Sequence, residues 1–119
     1  MTNKEFNEMF RKRTMAFVVR VLKFIETVPL NNATRVMTYQ LCKASTSVGA
    51  NYRAYCRGRS RNERFSKICI VVEEADESLY WLELFAQMKY GDQVLLAEIT
   101  EENIEILKVV VSIKDSMYP

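Results

Sequence analysis

The side chains in this sequence best suited to chemistry are arginines gathered around one glycine. They are Arg53, Arg57, Arg59, Arg61 and Arg64, with Gly58 among them. A guanidinium presents a planar fork of N–H donors that fits a phosphate, so the cluster indicates a polyanion site. Clustered positive charge also releases counterions from nucleic acid. Tyr52 and Tyr55 lie nearby in the sequence and are candidates for stacking on exposed bases.

The position of the arginines relative to helix ends separates two kinds of role. Arg53 and Arg57 precede Gly58 at the end of a predicted helix, where a cation interacts favourably with the helix dipole. Arg61 and Arg64 fall in the first turns of the next predicted helix, where a cation is disfavoured. Helix stability therefore does not explain Arg61 and Arg64, which favours a functional role for them.

The sequence contains no motif that indicates a catalytic site or a metal site. The chain has no histidine, which excludes histidine-based metal sites and histidine-dependent triads. A ferritin-like di-iron site needs Glu-x-x-His pairs, so the acidic run of residues 73–77 is not one. No Gly-rich phosphate loop is present. We therefore expect no catalytic residue, no cofactor and no metal, and hence a protein that is not an enzyme.

The cysteines and the N-terminus bear on the compartment. Cys42, Cys56 and Cys69 are odd in number and lack a CxxC spacing, which favours free buried thiols in a reducing cytoplasm. Cys56 lies within the arginine cluster, a setting that lowers a thiol pKa. The N-terminus is polar and charged, unlike a signal peptide. No apolar run approaches the ~20 residues of a membrane span. We expect a cytoplasmic protein without membrane contact.

Composition and periodicity predict an all-α, antiparallel up-down four-helix bundle formed by a single domain over residues 1–119. Gly and Pro number only 3 and 2, so turns are few. The predicted helices are listed by approximate range: 4–28, ended by Pro29; 32–57, capped by Asn31 or Asn32; 61–90, opened by a Ser60–Glu63 capping box; and a last helix to about 117, which Thr100 either starts or continues from a short helical segment at 92–98. Short connections between such helices predict antiparallel neighbours.

Apolar spacing within these helices predicts the core and leaves some apolar surface over. The seam predicted for the third helix consists of Phe65, Ile68, Val72, Ala75, Leu79, Leu82 and Ala86. Gly49 lies in mid-helix, which indicates close approach of a neighbouring helix. Extra apolar stripes on the first and last helices suggest a second subunit.

Counting from the turns places most of the basic residues at one pole of such a bundle. Residues 1–67 carry 14 Lys/Arg and 4 Asp/Glu, whereas residues 68–119 carry 3 and 11. The predicted basic pole holds Lys4, Arg11, Lys12, Arg13, Arg53, Arg57, Arg59, Arg61, Arg64 and Lys67. The opposite, acidic pole holds Glu26, Glu83, Asp92, Glu98, Glu101, Glu102 and Glu105. The asymmetry is therefore predicted to form a charge dipole along the bundle.

Several functions are compatible with this dipole. The first is an accessory protein that binds RNA or DNA through the basic pole. Its predicted contact residues are Arg11, Lys12, Arg13, Arg53, Arg57, Arg59, Arg61, Arg64 and Lys67. The alternatives are a solvated cap whose arginines pair with acids of a neighbouring subunit, another anionic partner, and a scaffold that holds a partner enzyme through the acidic pole.

Two stretches resemble a known family. They are STSVGAN at 45–51 and EEADESLYWLELF at 73–85, supported by Ser60, Phe65 and Lys67. Together they are similar to the bacterial four-helix-bundle proteins typified by the 23S ribosomal RNA intervening-sequence protein, to which the accessory variability protein of diversity-generating retroelements is related. The resemblance implies a left-handed bundle, a ring-like homopentamer and a non-enzymatic role with proposed nucleic-acid binding. In the scaffold alternative, the partner would be an enzyme such as a reverse transcriptase.

The resemblance also implies roles for individual residues. Ser47, Gly49 and Asn51 would form a packing element, with Asn51 a buried polar group that fixes register or an interface. Tyr80 and Trp81 would contribute to packing or to a subunit interface, Trp81 as an anchor. The family commonly has a glutamate shortly after the asparagine, where this chain has Ala54, which makes the pole more basic.

Overall fold

Four helices account for nearly all of the chain in a computed structural model, which describes residues 1–118. They are α1 (Asn3–Ile25), α2 (Asn32–Cys56), α3 (Arg61–Met88) and α4 (Gln93–Ser116). Each helix packs against its neighbours in sequence, and α4 closes the bundle against α1. The bundle measures 44 × 24 × 19 Å. The predicted all-α, up-down four-helix bundle is confirmed.

Side-chain caps fix where the helices begin. Asn31 and Ser60 accept the backbone N–H groups of Thr34 and Glu63, as expected for N-caps. The box predicted at Ser60 is only half formed, because the Glu63 carboxylate accepts the N–H of Arg59 instead of that of Ser60. Glu63 thereby fastens the turn that precedes α3.

The first and last helices differ from the predicted bounds. Helix α1 ends at Ile25, three residues before the predicted end, and residues 26–28 form a turn. Val28, directly before Pro29, is disfavoured in the α conformation. Helix α4 runs without a break from its N-cap, Asp92, whose carboxylate accepts two backbone N–H groups. Of the two predicted alternatives, that Thr100 starts or that it continues the last helix, the structure shows the second: no Gly or Pro interrupts residues 93–116, and the Thr100 hydroxyl donates to the carbonyl of Leu96.

The core runs along one face of each helix, but the face of α3 differs from the predicted seam. Its buried residues are Ile68, Val71, Ala75, Ser78, Leu82 and Phe85. Phe65, Val72 and Leu79 are only half-buried and Ala86 is exposed, so the seam prediction was wrong at those four positions. The run ICIVV at 68–72 offers apolar residues to every side of the helix, and periodicity alone cannot choose among them. Apolar side chains consequently remain at the surface of α3.

No helix in the described part of the chain is long and apolar enough to cross a membrane.

Two substitutions in the turn between α3 and α4 should change the free energy of unfolding in opposite directions. Lys89 adopts the left-handed conformation at φ 56°, and Gly91 has φ 80°. A Cβ added at Gly91 would lie 2.9 Å from Phe24 Cε1 and 3.0 Å from Val28 Cγ2. We expect Lys89→Gly to stabilise the fold by about 1 kcal/mol, since a left-handed L residue costs about 1–2 kcal/mol.

Gly91→Ala should destabilise the fold, because it adds both backbone strain and a clash. Urea unfolding of the two variants and the wild-type chain at one protein concentration measures both effects. Shifts of the same sign in the two variants would contradict this description of the turn.

Candidate nucleic-acid interface

The α2–α3 turn and the free ends of α1 and α4 meet at one end of the bundle. The Cys56 thiol lies 3.8 Å from the backbone carbonyl of Asn7 on α1. The Arg61 guanidinium donates to the backbone carbonyl of Met117, just beyond α4. Phe65 and Tyr118 meet edge to face, with ring centroids 5.7 Å apart. We call this end, formed by residues 2–11, 53–67 and 113–118, the basic pole.

The turn is tight because one arginine side chain crosses it. Gly58 follows the C-cap of α2, and a Cβ built on it would lie 2.4 Å from Arg64 Cγ. The φ of Gly58 is not left-handed, so close approach, rather than backbone freedom, accounts for a glycine here. The Arg64 guanidinium then lies 3.4 Å from the Gly58 carbonyl, to which it donates.

Two depressions flank the turn and share a wall. The end groove has a volume of about 1090 Å³ and is lined by Asn3, Lys4, Phe6, Asn7, Glu8, Arg11, Arg53, Tyr55, Cys56, Arg57, Gly58, Arg64, Ile113 and Ser116. The side groove, of about 440 Å³, lies between α2 and α3 and is lined by Ala50, Arg53, Ala54, Arg57, Gly58, Arg59, Glu63 and Lys67. Arg53 and Arg57 line both, so they form a ridge between the two grooves.

The cations of this ridge and of the side groove are not neutralised within the described chain. Arg53, Arg57, Arg59 and Lys67 have no carboxylate within 4.0 Å among residues 1–118. The three arginines are exposed and Lys67 is half-buried. Glu63 also lines the side groove, but its carboxylate accepts the backbone N–H of Arg59. Four cations beside one carboxylate leave a net positive charge, so the local field attracts anions.

Three predicted contact residues on α1 occupy different settings. Arg11 lines the end groove but pairs with Glu8 at 2.7 Å. Lys12 is exposed on the outer side of α1, beside a separate shallow depression. Arg13 lies away from the turn and forms two hydrogen bonds with the Glu102 carboxylate on α4, of 2.8 and 2.7 Å. These bonds raise the pKa of Arg13, which thus joins two helices instead of belonging to the cluster.

Two glutamates of the predicted acidic pole are likewise neutralised by arginines of α1. Glu102 binds Arg13, and Glu98 binds Arg20 at 2.8 Å. Both pairs connect α4 to α1, which is the loosest of the four neighbouring helix contacts.

Arg61 and Arg64 have structural contacts that the helix-dipole argument missed. Arg61 donates to a carbonyl at the C-terminal end of α4, where a cation is favourable. Arg64 packs across Gly58 and bonds its carbonyl. The end of α4 thus supplies a hydrogen-bond acceptor for Arg61, and the α2–α3 turn supplies one for Arg64. Their presence in the first turns of α3 is therefore explained without a ligand.

Two aromatic side chains, Phe6 and Tyr55, line the end groove. Tyr52 is fully buried, stacks edge to face on Phe10 at 4.9 Å and therefore cannot stack on a base. Tyr55 is half-buried and lies against Tyr52, with ring centroids 5.4 Å apart. Burial raises the pKa of both phenols. Of the two candidate stacking tyrosines, only Tyr55 lines the groove.

The electrostatics of Cys56 differ from the prediction. Burial raises the pKa of its thiol, and this effect outweighs the guanidinium groups of Arg11 and Arg57, which act in the opposite direction. A protonated, half-buried thiol is a poor nucleophile. Cys56 is thus a wall residue of the end groove.

Asn7 is a groove residue that the sequence analysis missed. Its carboxamide oxygen accepts from the Tyr52 hydroxyl at 3.4 Å, and its backbone carbonyl meets the Cys56 thiol. Asn7 lies four residues before Arg11 and seven before Thr14, on the side of α1 that faces α2. The spacing alone could have placed Asn7 on the side of α1 that faces α2. It could not have shown that Asn7 contacts Tyr52 and Cys56.

The residues predicted as packing or interface elements lie apart from the pole. A Cβ at Gly49 would lie 3.1 Å from Val18 Cγ2 of α1. Asn51 is half-buried and donates to the backbone carbonyl and hydroxyl of Ser47, within α2. Tyr80 is exposed and meets Trp81 edge to face at 5.0 Å.

The residues described here, 1–118, contain no group of three Cys, Asp or Glu side chains arranged to hold a metal ion.

The chain is similar to a known protein family and to a solved structure. A family model described as "23S rRNA-intervening sequence protein" matches residues 7–112. A crystal structure from Bacteroides thetaiotaomicron VPI-5482, described as a protein with unknown function from the S23 ribosomal protein family, is 30% identical in sequence. The match covers 92% of this chain and 97% of that one, with a TM-score of 0.79. No curated protein matches the chain.

Proposed function

Because the chain belongs to the family of 23S rRNA-intervening sequence proteins, we propose that it is a non-enzymatic, homo-oligomeric bundle that binds nucleic acid through its basic pole. The observation that carries this proposal is the absence of acid partners for the exposed arginines of the ridge and side groove in the described chain. Phosphate would supply the missing negative charge.

The fold itself does not require these side chains. Arg53, Arg57 and Arg59 are exposed and donate no side-chain hydrogen bond to another described residue. Arg53 and Arg57 gain about 0.3–1 kcal/mol each from the end of α2, a gain that one cation would largely secure. Concentrating further cations there costs repulsion, which binding to a polyanion reverses.

The contacts made by the pole also indicate its mode of binding. Guanidinium groups exposed on a ridge can reach phosphates from several directions, which favours affinity for the backbone over recognition of sequence. Repetition of the pole in an oligomer would multiply weak contacts through avidity. We therefore expect strong dependence on salt and little dependence on sequence.

Neutralising the two ridge arginines together with Arg59 of the side groove tests this function. The triple variant Arg53→Gln, Arg57→Gln, Arg59→Gln should bind RNA and DNA oligonucleotides at least about tenfold more weakly at ~0.1 M salt. Its salt slope should fall by about one for each arginine that contacts a phosphate. Fluorescence anisotropy with labelled oligonucleotides measures both quantities.

A matched control removes the same charge elsewhere. Lys23, Arg35 and Lys43 are exposed and, like the ridge arginines, lack a carboxylate within 4.0 Å in the described chain. Their triple glutamine variant should retain affinity. Equal losses in both variants would refute a localised interface. No affinity in the wild-type chain would instead favour the scaffold role, with a partner protein bound elsewhere.

Self-association is the second part of the proposal, and an apolar stripe on α1 supports it. Met15, Val19 and Leu22 are 53%, 42% and 38% exposed and follow one another at steps of four and three on the outer side of the helix. Apolar side chains in such a continuous row are typical of a surface that is covered in an assembly. The resemblance implies five subunits.

Sedimentation velocity tests this part directly. The wild-type chain should sediment as an oligomer, and the variant Val19→Lys, Leu22→Lys as a species near 13.9 kDa. The control Val36→Lys, Val94→Lys changes two side chains that are more exposed, 57% and 72%, on two other helices. It should leave the oligomer intact. A monomeric wild-type chain would contradict the proposal.

A further inference from the structure

We propose that the end groove accepts an unpaired base of a single-stranded nucleic acid, so that the chain prefers single strands to duplexes. This inference rests on the proposed function and assigns a separate task to each groove wall. The ridge arginines hold phosphates, and Tyr55 provides the surface on which a base stacks.

The shape of the groove supports a recessed ligand. It is bounded by all four helices, from Asn3 on α1 to Ser116 on α4, and its volume is about 1090 Å³. Sites for small ligands commonly measure about 300–1,000 Å³, so a nucleotide fits within it. The groove is thus more than a flat patch of positive charge.

The groove has an aromatic and apolar part as well as a basic one. Phe6, Tyr55 and Ile113 line it together with the cations. The Tyr55 ring is held in place by Tyr52, which is itself fixed by Phe10. A ring immobilised in this way loses little conformational entropy when a base stacks on it. A site for inorganic phosphate alone would not need such a surface.

The charges around Tyr55 suit the phosphates on either side of the base. Arg53, Arg57 and Arg64 line the same groove. Arg64 lies near enough to Tyr55 to oppose the rise in the phenol pKa that burial causes. Among residues 1–118, the acid on the wall is Glu8, which is already paired with Arg11. A strand that places one base against Tyr55 therefore meets cations on its flanking phosphates.

A duplex cannot use this arrangement. Its bases are paired and stacked inside the helix, so it offers only phosphates to the exposed ridge. A single strand can turn a base into the recess without breaking pairs, and stacking tolerates any base. The two grooves therefore predict general electrostatic affinity for both forms and an additional term for the single strand.

The test compares two probes on one set of variants. An oligothymidine of about 12 nucleotides falls within the site sizes of about 4–16 nucleotides known for single-strand binders, and a duplex of the same length is the second probe. In Tyr55→Leu, affinity for the single strand should fall about tenfold, while affinity for the duplex should not change. Tyr55→Phe should bind as the wild type does, because stacking needs the ring and not the hydroxyl.

Controls separate this inference from folding and from the proposed function. Tyr39→Leu removes an exposed tyrosine near the other end of α2 and should have no effect; circular dichroism checks that each variant is folded. Equal binding of both probes by the wild type, or an equal loss in Tyr55→Leu, would overturn the inference while leaving the ridge as the interface. If the wild-type chain bound neither probe, both proposals would fail.

Discussion

The close packing of α2 against α3 is the constraint on which the rest of the structure depends. This pair shares more contacts than any other two helices, and a turn of only residues 57–60 joins them. Gly58 leaves room for the Arg64 side chain to cross that turn. The Glu63 carboxylate on α3 accepts the backbone N–H of Arg59 within the turn. Because the turn is so short, cations from the end of one helix and the start of the next must share a small surface.

The remaining helices respond to this concentrated charge in different ways. The end of α4 accepts Arg61 through a backbone carbonyl, so part of the charge serves to cap a helix. On α1, Glu8 offsets Arg11 and leaves the ridge unaffected. What remains is a ridge whose exposed arginines have no counterpart in the described chain. Contacts within the fold account for Arg61 and Arg64, and we propose a polyanion as the partner of the arginines on the ridge.

The sequence was most informative where local signals act alone. Asn31, Ser60 and Gly58 marked helix boundaries because caps and close approaches depend on neighbouring residues. The sequence failed where the answer depends on how helices are rotated against one another. The choice of Val71 and Phe85 over Val72 and Leu79 on α3 is of that kind.

The same limit applies to the candidate site. The meeting of distant segments at one pole could be predicted from the short turns, because chain direction alone decides it. The pairing of Arg13 with Glu102 could not, since the two residues are 89 positions apart and their contact depends on the rotation of α1 against α4. Burial likewise removed Tyr52 from the candidate interface, and it raised a thiol pKa that the nearby arginines had been expected to lower.

The most direct test of the central claim is to map nucleic-acid contacts on the folded protein by NMR. A short oligothymidine is titrated into isotope-labelled protein at ~0.1 M salt, and backbone amide and arginine Nε–Hε signals are followed. We expect shifts confined to the basic pole, largest at Arg53, Arg57 and Tyr55, with Arg35 and Lys89 at the opposite end unchanged. Shifts centred on the opposite end, or none at saturating oligonucleotide, would contradict that claim.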